Sequence, residues 1–360
     1  KKLNVLDDHT IFPHELKYDK EKFITEDYAK LWSSFAEEIT SLENRCKTFD
    51  SYFISLCDIL RNYTWCIPSA TNVEPCNVSL YEHLKTTSGL ALCIYDYFEF
   101  HDKEINFQST QDSPIKNEDC LLMVCIDIAG IQNFIYDIAN KKAAKSLKGR
   151  SFYLQLLLSY IIDQVLSHND IQAYQTNIIY ASGGKAYLLL PNLEKVKDAI
   201  EEVDLKIQSY LWKEYKGKLY AVFGSVGFSY ETFKTIDNIW TNKIQSSEIT
   251  NREREILGLE KDITLDLGHL WRLVSDRAAF KKNRRFLSKL VEFDIFFKTS
   301  SYEIDSKACA VTGERSTKLV DLNKSKENND EKKVMVLPSV FEQSKLGEAL
   351  KNGNYLVTYK

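Results

Sequence analysis

The feature that most constrains the fold is an unbroken apolar run at residues 120–126, which the carboxylate of Asp127 ends. A run without polar alternation is typical of a strand that is buried on both of its faces. The sequence therefore predicts a buried strand that carries an acidic residue at its carboxyl end.

Further elements follow this strand in a defined order. A helix is predicted from residue 131, interrupted by a basic stretch at 141–150 and resumed over 151–166. Strands at 178–181 and 186–190 flank a turn at Gly183 and Gly184, where glycine supplies positive φ. A helix at 196–212 and a strand at 219–230 complete the order strand, helix, strand, strand, helix, strand. This order predicts an α+β fold with a ferredoxin-like βαββαβ domain between helical domains.

The rest of the chain is predicted to be mostly helical. Apolar residues recur at helical spacing over residues 23–66 and 79–98, and Ser79 with Glu82 forms a predicted capping box. The predicted domains are helical at 1–110, ferredoxin-like at 118–232, helical at 233–300, and a small segment at 301–360. That last segment contains a charged loop of low complexity at 323–333, which we expect to be mobile.

Composition narrows the class of protein. The 360 residues include 47 basic and 51 acidic ones, so the net charge of −4 argues against a generic basic nucleic-acid binder. No uncharged apolar run reaches the roughly 18–20 residues of a membrane span. None of the eight cysteines forms a CxxC pair, which favours reduced thiols in a cytoplasmic protein.

Asp127 is the first candidate for a residue with a chemical role. In palm-type nucleotidyl-transfer folds, a carboxylate at the end of such a strand binds a divalent metal ion beside acids of the neighbouring turn. Here Lys185 and Ala186 stand where those acids would be, so the turn is degenerate. The alternative, that Asp127 only fixes the turn or caps the next helix, is favoured because no partner carboxylate is visible. No catalytic residue and no metal ligand is therefore assigned.

A basic cluster before residue 151 is the second candidate. Two interpretations stay open for it, namely contact with phosphate or RNA backbone and a solvated helix face. Ser151 and Phe152 are predicted to begin a helix whose free N–H groups could face an anion, although Ser151 could be only an N-cap and Phe152 only a core residue. The cluster consists of Lys141, Lys142, Lys145, Lys148 and Arg150.

Cys309 begins half of a zinc-knuckle pattern. Thr312 stands where a second cysteine is needed, and no cysteine follows downstream. The sequence therefore predicts no zinc.

Several separated strings resemble the large polymerase-like subunit of type III-A (Csm) CRISPR effector complexes. They are residues 67–71, 78–83, 127–136, 145–155 and 180–189, of which 145–155 is the most specific. The resemblance implies a subunit that acts with guide RNA, target RNA and the other subunits of a type III-A complex. It also implies that two palms join ATP into cyclic oligoadenylate, and that this chain holds the first of them.

The same resemblance implies functional roles for individual residues of this sequence. Ser151 and Phe152 match first-palm contacts to a bound ATP, Gln155 lies one turn further on, and Gly183 and Gly184 match the first-palm turn. Mg²⁺ or Mn²⁺ is expected mainly on a second palm, whose Gly-Gly-Asp-Asp string is not found here. No HD nuclease motif is found either, so the chain resembles a middle section, a split subunit or part of a longer protein.

Two other functions stay open. In the first, the palm is inactive and the chain is a structural adaptor that holds guide RNA and partner subunits; the missing carboxylates favour it. The second, a stand-alone nucleotide cyclase, is disfavoured by Lys185 in the turn, because such enzymes need metal-binding acids at that position.

Overall fold

The structure is a computed structural model that describes most of the chain. The chain divides into two compact units, residues 1–92 with 174–177 and residues 93–173 with 178–360. The described residues are 20–70, 72, 77–103, 118–136, 143–229, 235–236, 239–240, 249–257, 267–287, 305–323, 333–351 and 353.

The first unit is built from helices, as the helical spacing predicted. They are α1 (Lys20–Arg45), α2 (Phe49–Thr64) and the beginning of α3 (Leu80–Phe100). Helices α1 and α2 pack on each other, and the ring of Phe35 contacts Tyr63 edge-on at 5.7 Å. The Ser79 hydroxyl accepts the backbone N–H of Glu82 at 3.2 Å, which confirms Ser79 as the cap of α3.

The second unit contains a four-stranded antiparallel sheet. Its strands are β1 (Leu121–Ala129), β2 (Ile178–Ser182), β3 (Lys185–Pro191) and β4 (Tyr220–Phe228), in the spatial order β2-β3-β1-β4. The register of β1 against β3 runs from Leu121↔Pro191 to Asp127↔Lys185. All nine residues of β1 are buried, which confirms the buried strand predicted from its apolar run.

Three helices connect these strands: α4 (Ile131–Tyr136), α5 (Ala143–Leu166) and α6 (Glu194–Tyr215). The order of strands and helices is the one that the sequence predicted. Leu122, Val124 and Ile126 of β1 share one face of the sheet and form the main core with α5 and α6. Burial of each such side chain contributes about 1.5–3 kcal/mol, so this layer is the main source of stability.

The opposite face of the sheet is covered as well. After the short pair β5 (Thr235–Ile236) and β6 (Ile239–Trp240) come α7 (Asn251–Leu257) and α8 (Leu267–Lys282). Helix α8 packs on β4 and β1, and the Trp271 ring lies 4.1 Å from that of Tyr187 on β3. Both faces of β1 are therefore buried, which explains its lack of polar alternation. The β5–β6 pair adds two short strands to the region 233–300, which was predicted to be helical.

The C-terminal segment has a small core of its own. Its strands are short: β7 (Lys307–Ala308), β8 (Arg315–Ser316), β9 (Val320–Asp321) and β10 (Met335–Val336). They precede α9 (Pro338–Ala349), which packs on α5. Cys309 is buried in this core, and its Sγ accepts the N–H groups of Thr312 at 3.5 Å and Leu337 at 3.4 Å. Most of the charged loop predicted at 323–333 lies outside the described residues.

The predicted break in the helix before residue 151 is wrong. Helix α5 is continuous from Ala143 to Leu166, so Ser151 lies well inside it and neither caps it nor offers free N–H groups. Gly149 suggested a break, but its role is packing. A Cβ there would collide with the backbone carbonyl of Gln343 in α9.

No described helix is both long and apolar enough to cross a membrane. The cysteines of the described part are free thiols, and five of them are buried.

Candidate functional site

The double-glycine turn lies beside the carboxyl end of β1. Gly183 and Gly184 connect β2 to β3 with φ of +62° and +84°, as their sequence predicted. The carbonyl of Gly184 accepts the N–H of Ile128 at 2.8 Å, and a side chain at Gly184 would collide with Ile131 of α4. The turn is thus held against the beginning of α4, and Gly183 stays exposed.

The carboxylate of Asp127 is neutralised by two lysines. Its Oδ2 lies 3.2 Å from Nζ of Lys185 in the turn and 2.7 Å from Nζ of Lys282 at the end of α8. Asp127 is only 8% exposed, so this pairing satisfies a nearly buried charge. These ion pairs join Asp127 to the turn and to α8, and a carboxylate held between two ammonium groups does not fit a divalent metal ion.

The Asp127 carboxylate affects the pKa of Lys185. Burial lowers the pKa of its ammonium, but the attraction of Asp127 and the hydrogen bond to it outweigh burial and leave the pKa raised. Beside it, burial raises the pKa of the Cys125 thiol to about 11. Lys282 is not among the site residues that the sequence predicted.

Helix α5 exposes one polar stripe. Lys148, Ser151 and Gln155 are exposed and spaced three and four residues apart, so they share one side of the helix, with Phe152 half-buried beside them. Gly149, next to Lys148 in sequence, contacts α9. We call Lys148, Ser151, Phe152 and Gln155 the α5 stripe.

Arg150 links the stripe's helix to the turn. Its Nη1 donates to the carbonyl of Phe134 at 2.6 Å and its Nε to Oε1 of Gln343 at 3.2 Å. Since Phe134 belongs to α4 and Ile131 of α4 touches the turn, the stripe and the double glycine lie at the same end of the sheet. Arg150 is 3% exposed, so its predicted contact with phosphate or RNA is corrected to a structural role.

The remaining lysines of the predicted basic cluster are only partly described. Lys148 is exposed on the stripe. Lys145 belongs to α5, while Lys141 and Lys142 lie outside the described residues. Within the described residues, no three His, Cys, Asp or Glu side chains come together as a metal site would need.

Comparison with known proteins gives the family. Residues 120–299, half of the 360-residue chain, match the family model described as "Csm1 subunit domain B". The chain therefore belongs to the Cas10/Csm1 family, the large subunits of subtype III-A CRISPR systems.

Two curated relatives are described as the CRISPR system single-strand-specific deoxyribonuclease Cas10/Csm1 of subtype III-A. The one from Enterococcus italicus is 35% identical over 56% of this chain and 27% of its own length. The one from Mycobacterium tuberculosis is 29% identical over 76% of this chain and 31% of its own. The chain thus spans about a third or less of these relatives.

Solved Csm1–Csm4 cassettes share the fold. The complex with one ATP matches with a TM-score of 0.54 and 21% identity, over 76% of this chain and 31% of that one. The complex with cA3 also matches with a TM-score of 0.54, at 20% identity over 75% and 32%. The chain therefore has a mixed helix and sheet architecture that is similar to that of Csm1.

Proposed function

We propose that this chain contributes the first palm of a type III-A large subunit, which cradles ATP for the synthesis of cyclic oligoadenylate. In this proposal residues 118–232 are a ferredoxin-like palm, flanked by the helical regions 1–110 and 233–300 and the small segment 301–360. The ATP-binding residues are Ser151, Phe152, Gln155, Gly183 and Gly184.

One observation carries the proposal: the α5 stripe and the double-glycine turn lie at the same end of one sheet. The exposed hydroxyl of Ser151 and amide of Gln155 can hydrogen-bond to a nucleotide, and Lys148 can attract its phosphates. Gly183 has nothing within 4 Å of where a Cβ would stand, so a ligand can approach its backbone closely. The similarity to a cassette that holds one ATP supports this assignment.

The metal-binding carboxylates must come from elsewhere in this proposal. Lys185 and Lys282 already neutralise Asp127, so the residues at this turn do not fit Mg²⁺ or Mn²⁺. Phosphoryl transfer needs the charge of the phosphates to be neutralised, and a second palm would hold the ions that do this. The first palm then binds and orients ATP.

The proposed partners follow from the family. Solved cassettes pair Csm1 with Csm4. We propose that this chain likewise acts with Csm4, the other subunits, the guide RNA and the target RNA.

A second function, the inactive adaptor, is favoured by the ion pairs of Asp127. Chromatography of the products that the assembled complex makes from ATP and Mg²⁺, after target RNA binds, separates the two. Oligoadenylate supports the first proposal, and its absence supports the adaptor.

Ser151→Ala in the assembled complex tests the ATP site directly. Loss of one hydrogen bond of about 0.5–1.5 kcal/mol should weaken ATP binding roughly two- to tenfold. Ser159→Ala is the matched control, because Ser159 is an exposed serine two turns further along α5. Equal ATP affinities in wild type and both variants, measured by titration, would contradict the proposed site.

A further inference from the structure

A basic turn ends α8 in the second unit. Residues 280–287 form the end of the helix and the tight turns after it, where the N–H of Arg284 bonds to the carbonyl of Lys281 at 3.0 Å and the N–H of Leu287 to the carbonyl of Arg284 at 3.3 Å. We call these residues the α8 turn. Its exposed side chains include Phe280, Lys281, Arg284 and Arg285, and none of these four belongs to the proposed ATP site.

Packing fixes the backbone of the α8 turn. Phe286 is buried and has a φ of +54°, which is uncommon for a bulky residue and persists only where the surroundings hold it. Its ring lies 4.9 Å from that of Trp212 near the end of α6 and 4.7 Å from that of Tyr220 at the start of β4. The two arginines before Phe286 are therefore presented by a well-packed part of the chain.

These two arginines are open to a ligand. The guanidinium of Arg284 lies 4.5 Å from the centre of the Phe280 ring, which is 48% exposed, so the pair offers flat surfaces on which a base can stack. Arg285 donates through Nε to the carbonyl of Lys282 at 3.2 Å, which uses one of its five N–H donors. Among the described residues, no carboxylate lies within 4 Å of either guanidinium.

The surface around the α8 turn is positive. Asp204 of α6 is buried and lies 3.5 Å from the ammonium of Lys281. Together with that carboxylate, the charged groups that α6 and the residue after it bring to this side are Glu201, Lys213, Glu214 and Lys216. Five cations and three carboxylates leave a formal charge of +2. The helix dipole accounts for lysines in the last turn of α8, but both arginines lie beyond that turn.

We propose that the α8 turn binds the backbone phosphates of a single-stranded nucleic acid. The planar guanidinium groups of Arg284 and Arg285 can donate paired hydrogen bonds to phosphate oxygens, and Lys281 adds charge beside them. An unpaired base can stack on the Phe280–Arg284 pair, whereas a base inside a duplex cannot. This stacking surface favours a nucleic acid over an acidic protein segment, whose carboxylates bring no ring.

Fluorescence anisotropy on the full chain tests the phosphate contacts. The probe is a labelled oligouridylate of about 12 nucleotides, which contains no adenine that could enter the proposed ATP site. Arg284→Gln combined with Arg285→Gln should weaken binding roughly three- to tenfold at low salt. It should also reduce the slope of log affinity against log salt by about 1.4, because each single-strand phosphate contact contributes about 0.7.

Arg272→Gln is the matched control for this double variant. It also removes an arginine from α8, but that arginine pairs with Asp276 at 3.8 Å, so affinity and salt slope should stay close to those of the wild type. Equal affinity and slope in the wild type and the double variant would overturn the proposal. An equal loss in the Arg272 variant would overturn it too, because net charge alone would then explain the effect.

Phe280→Leu tests the stacking surface. It keeps an apolar side chain but removes the ring, so binding of the oligouridylate should weaken about fivefold or more while the salt slope stays unchanged. The substituted positions are exposed, and melting curves will show that the variants are folded. Unchanged affinity would contradict base stacking, and with it the assignment to a nucleic acid.

Competition distinguishes a nucleic acid from an acidic protein. Unlabelled oligouridylate should displace the probe at a concentration at least tenfold lower, to order of magnitude, than an oligoglutamate of similar charge, because only the nucleic acid gains from stacking. If the oligoglutamate competes equally well, the α8 turn recognises negative charge alone and the proposal is wrong.

Discussion

Replacing Gly149 by alanine should separate two helices whose backbones touch. A Cβ at Gly149 would collide with the carbonyl oxygen of Gln343 in α9 and would lie 2.8 Å from its carbonyl carbon and 3.1 Å from the nitrogen of Gly347. These are backbone atoms, so no side-chain rotation can relieve the overlap. Helix α9 must therefore move away from α5.

The size of the effect follows from three contributions. Overpacking of a close contact costs about 1–3 kcal/mol, whereas alanine gains about 1 kcal/mol in helix propensity over glycine. Moving α9 also strains the bond from Arg150 to Gln343, a charge-assisted bond of about 1.5–3 kcal/mol. The expected net loss of stability is about 2–4 kcal/mol.

Hydrogen-exchange mass spectrometry gives the specific readout. We expect faster exchange in α9 and in the first half of α5, and little change in the first unit. Gln155→Ala is the control, because Gln155 is exposed on the same helix and its replacement should change only local propensity. Unchanged exchange in α9 of the Gly149 variant would refute the argument that this glycine is required for helix packing.

The other two predictions concern the turn. Gly184→Ala should destabilise the protein by about 1–3 kcal/mol, because its φ is +84° and Ile131 fills the space where the new Cβ would stand. Gly183→Ala has open space and should cost only about 1 kcal/mol of backbone strain. Urea unfolding measures the stability of both variants, and equal losses would contradict the packing argument. Lys185→Met should cost about 0.5–1 kcal/mol at neutral pH, and this cost should vanish in alkali. The raised pKa means that the contribution is full below the ordinary value of 10.5 and is lost as pH rises through the folded-state pKa. If urea titrations well above that pKa still show the same loss of stability for Lys185→Met, the ion pair with Asp127 is not the cause of the loss.

Local sequence patterns were sufficient to predict most strands and turns of the sheet. The apolar run that ends at Asp127 predicted β1, and paired glycines between short apolar segments predicted the β2–β3 turn. These signals are local because strand alternation and turn conformation depend on neighbouring residues. The division into domains and the assignment of ATP-binding residues stay predictions.

The error at α5 has a long-range cause. Gly149 and several lysines in succession resemble a break, because glycine is unfavourable inside a helix and charge runs are common in loops. What makes glycine suitable is contact with α9, whose Gln343 is 193 residues from Arg150 in sequence. No local pattern contains that contact. The same holds for the burial of Arg150, which looked like one more exposed cation.

Asp127 shows how far such a distant contact changes an interpretation of function. Its position at the end of a buried strand, next to a double-glycine turn, is where a palm holds metal ions. Lys185 in the turn could be read from the sequence and pointed to degeneracy, but a single half-exposed lysine would still leave part of the carboxylate open. Lys282 arrives from α8, on the opposite face of the sheet, and its Nζ is the nearer of the two at 2.7 Å. A nearly buried carboxylate between two ammonium groups has little affinity left for a divalent cation, since binding would require the loss of both ion pairs. If the sheet domain acts as the first palm that we propose, its contribution is therefore to bind and orient ATP, and the metal-dependent step requires carboxylates from another domain.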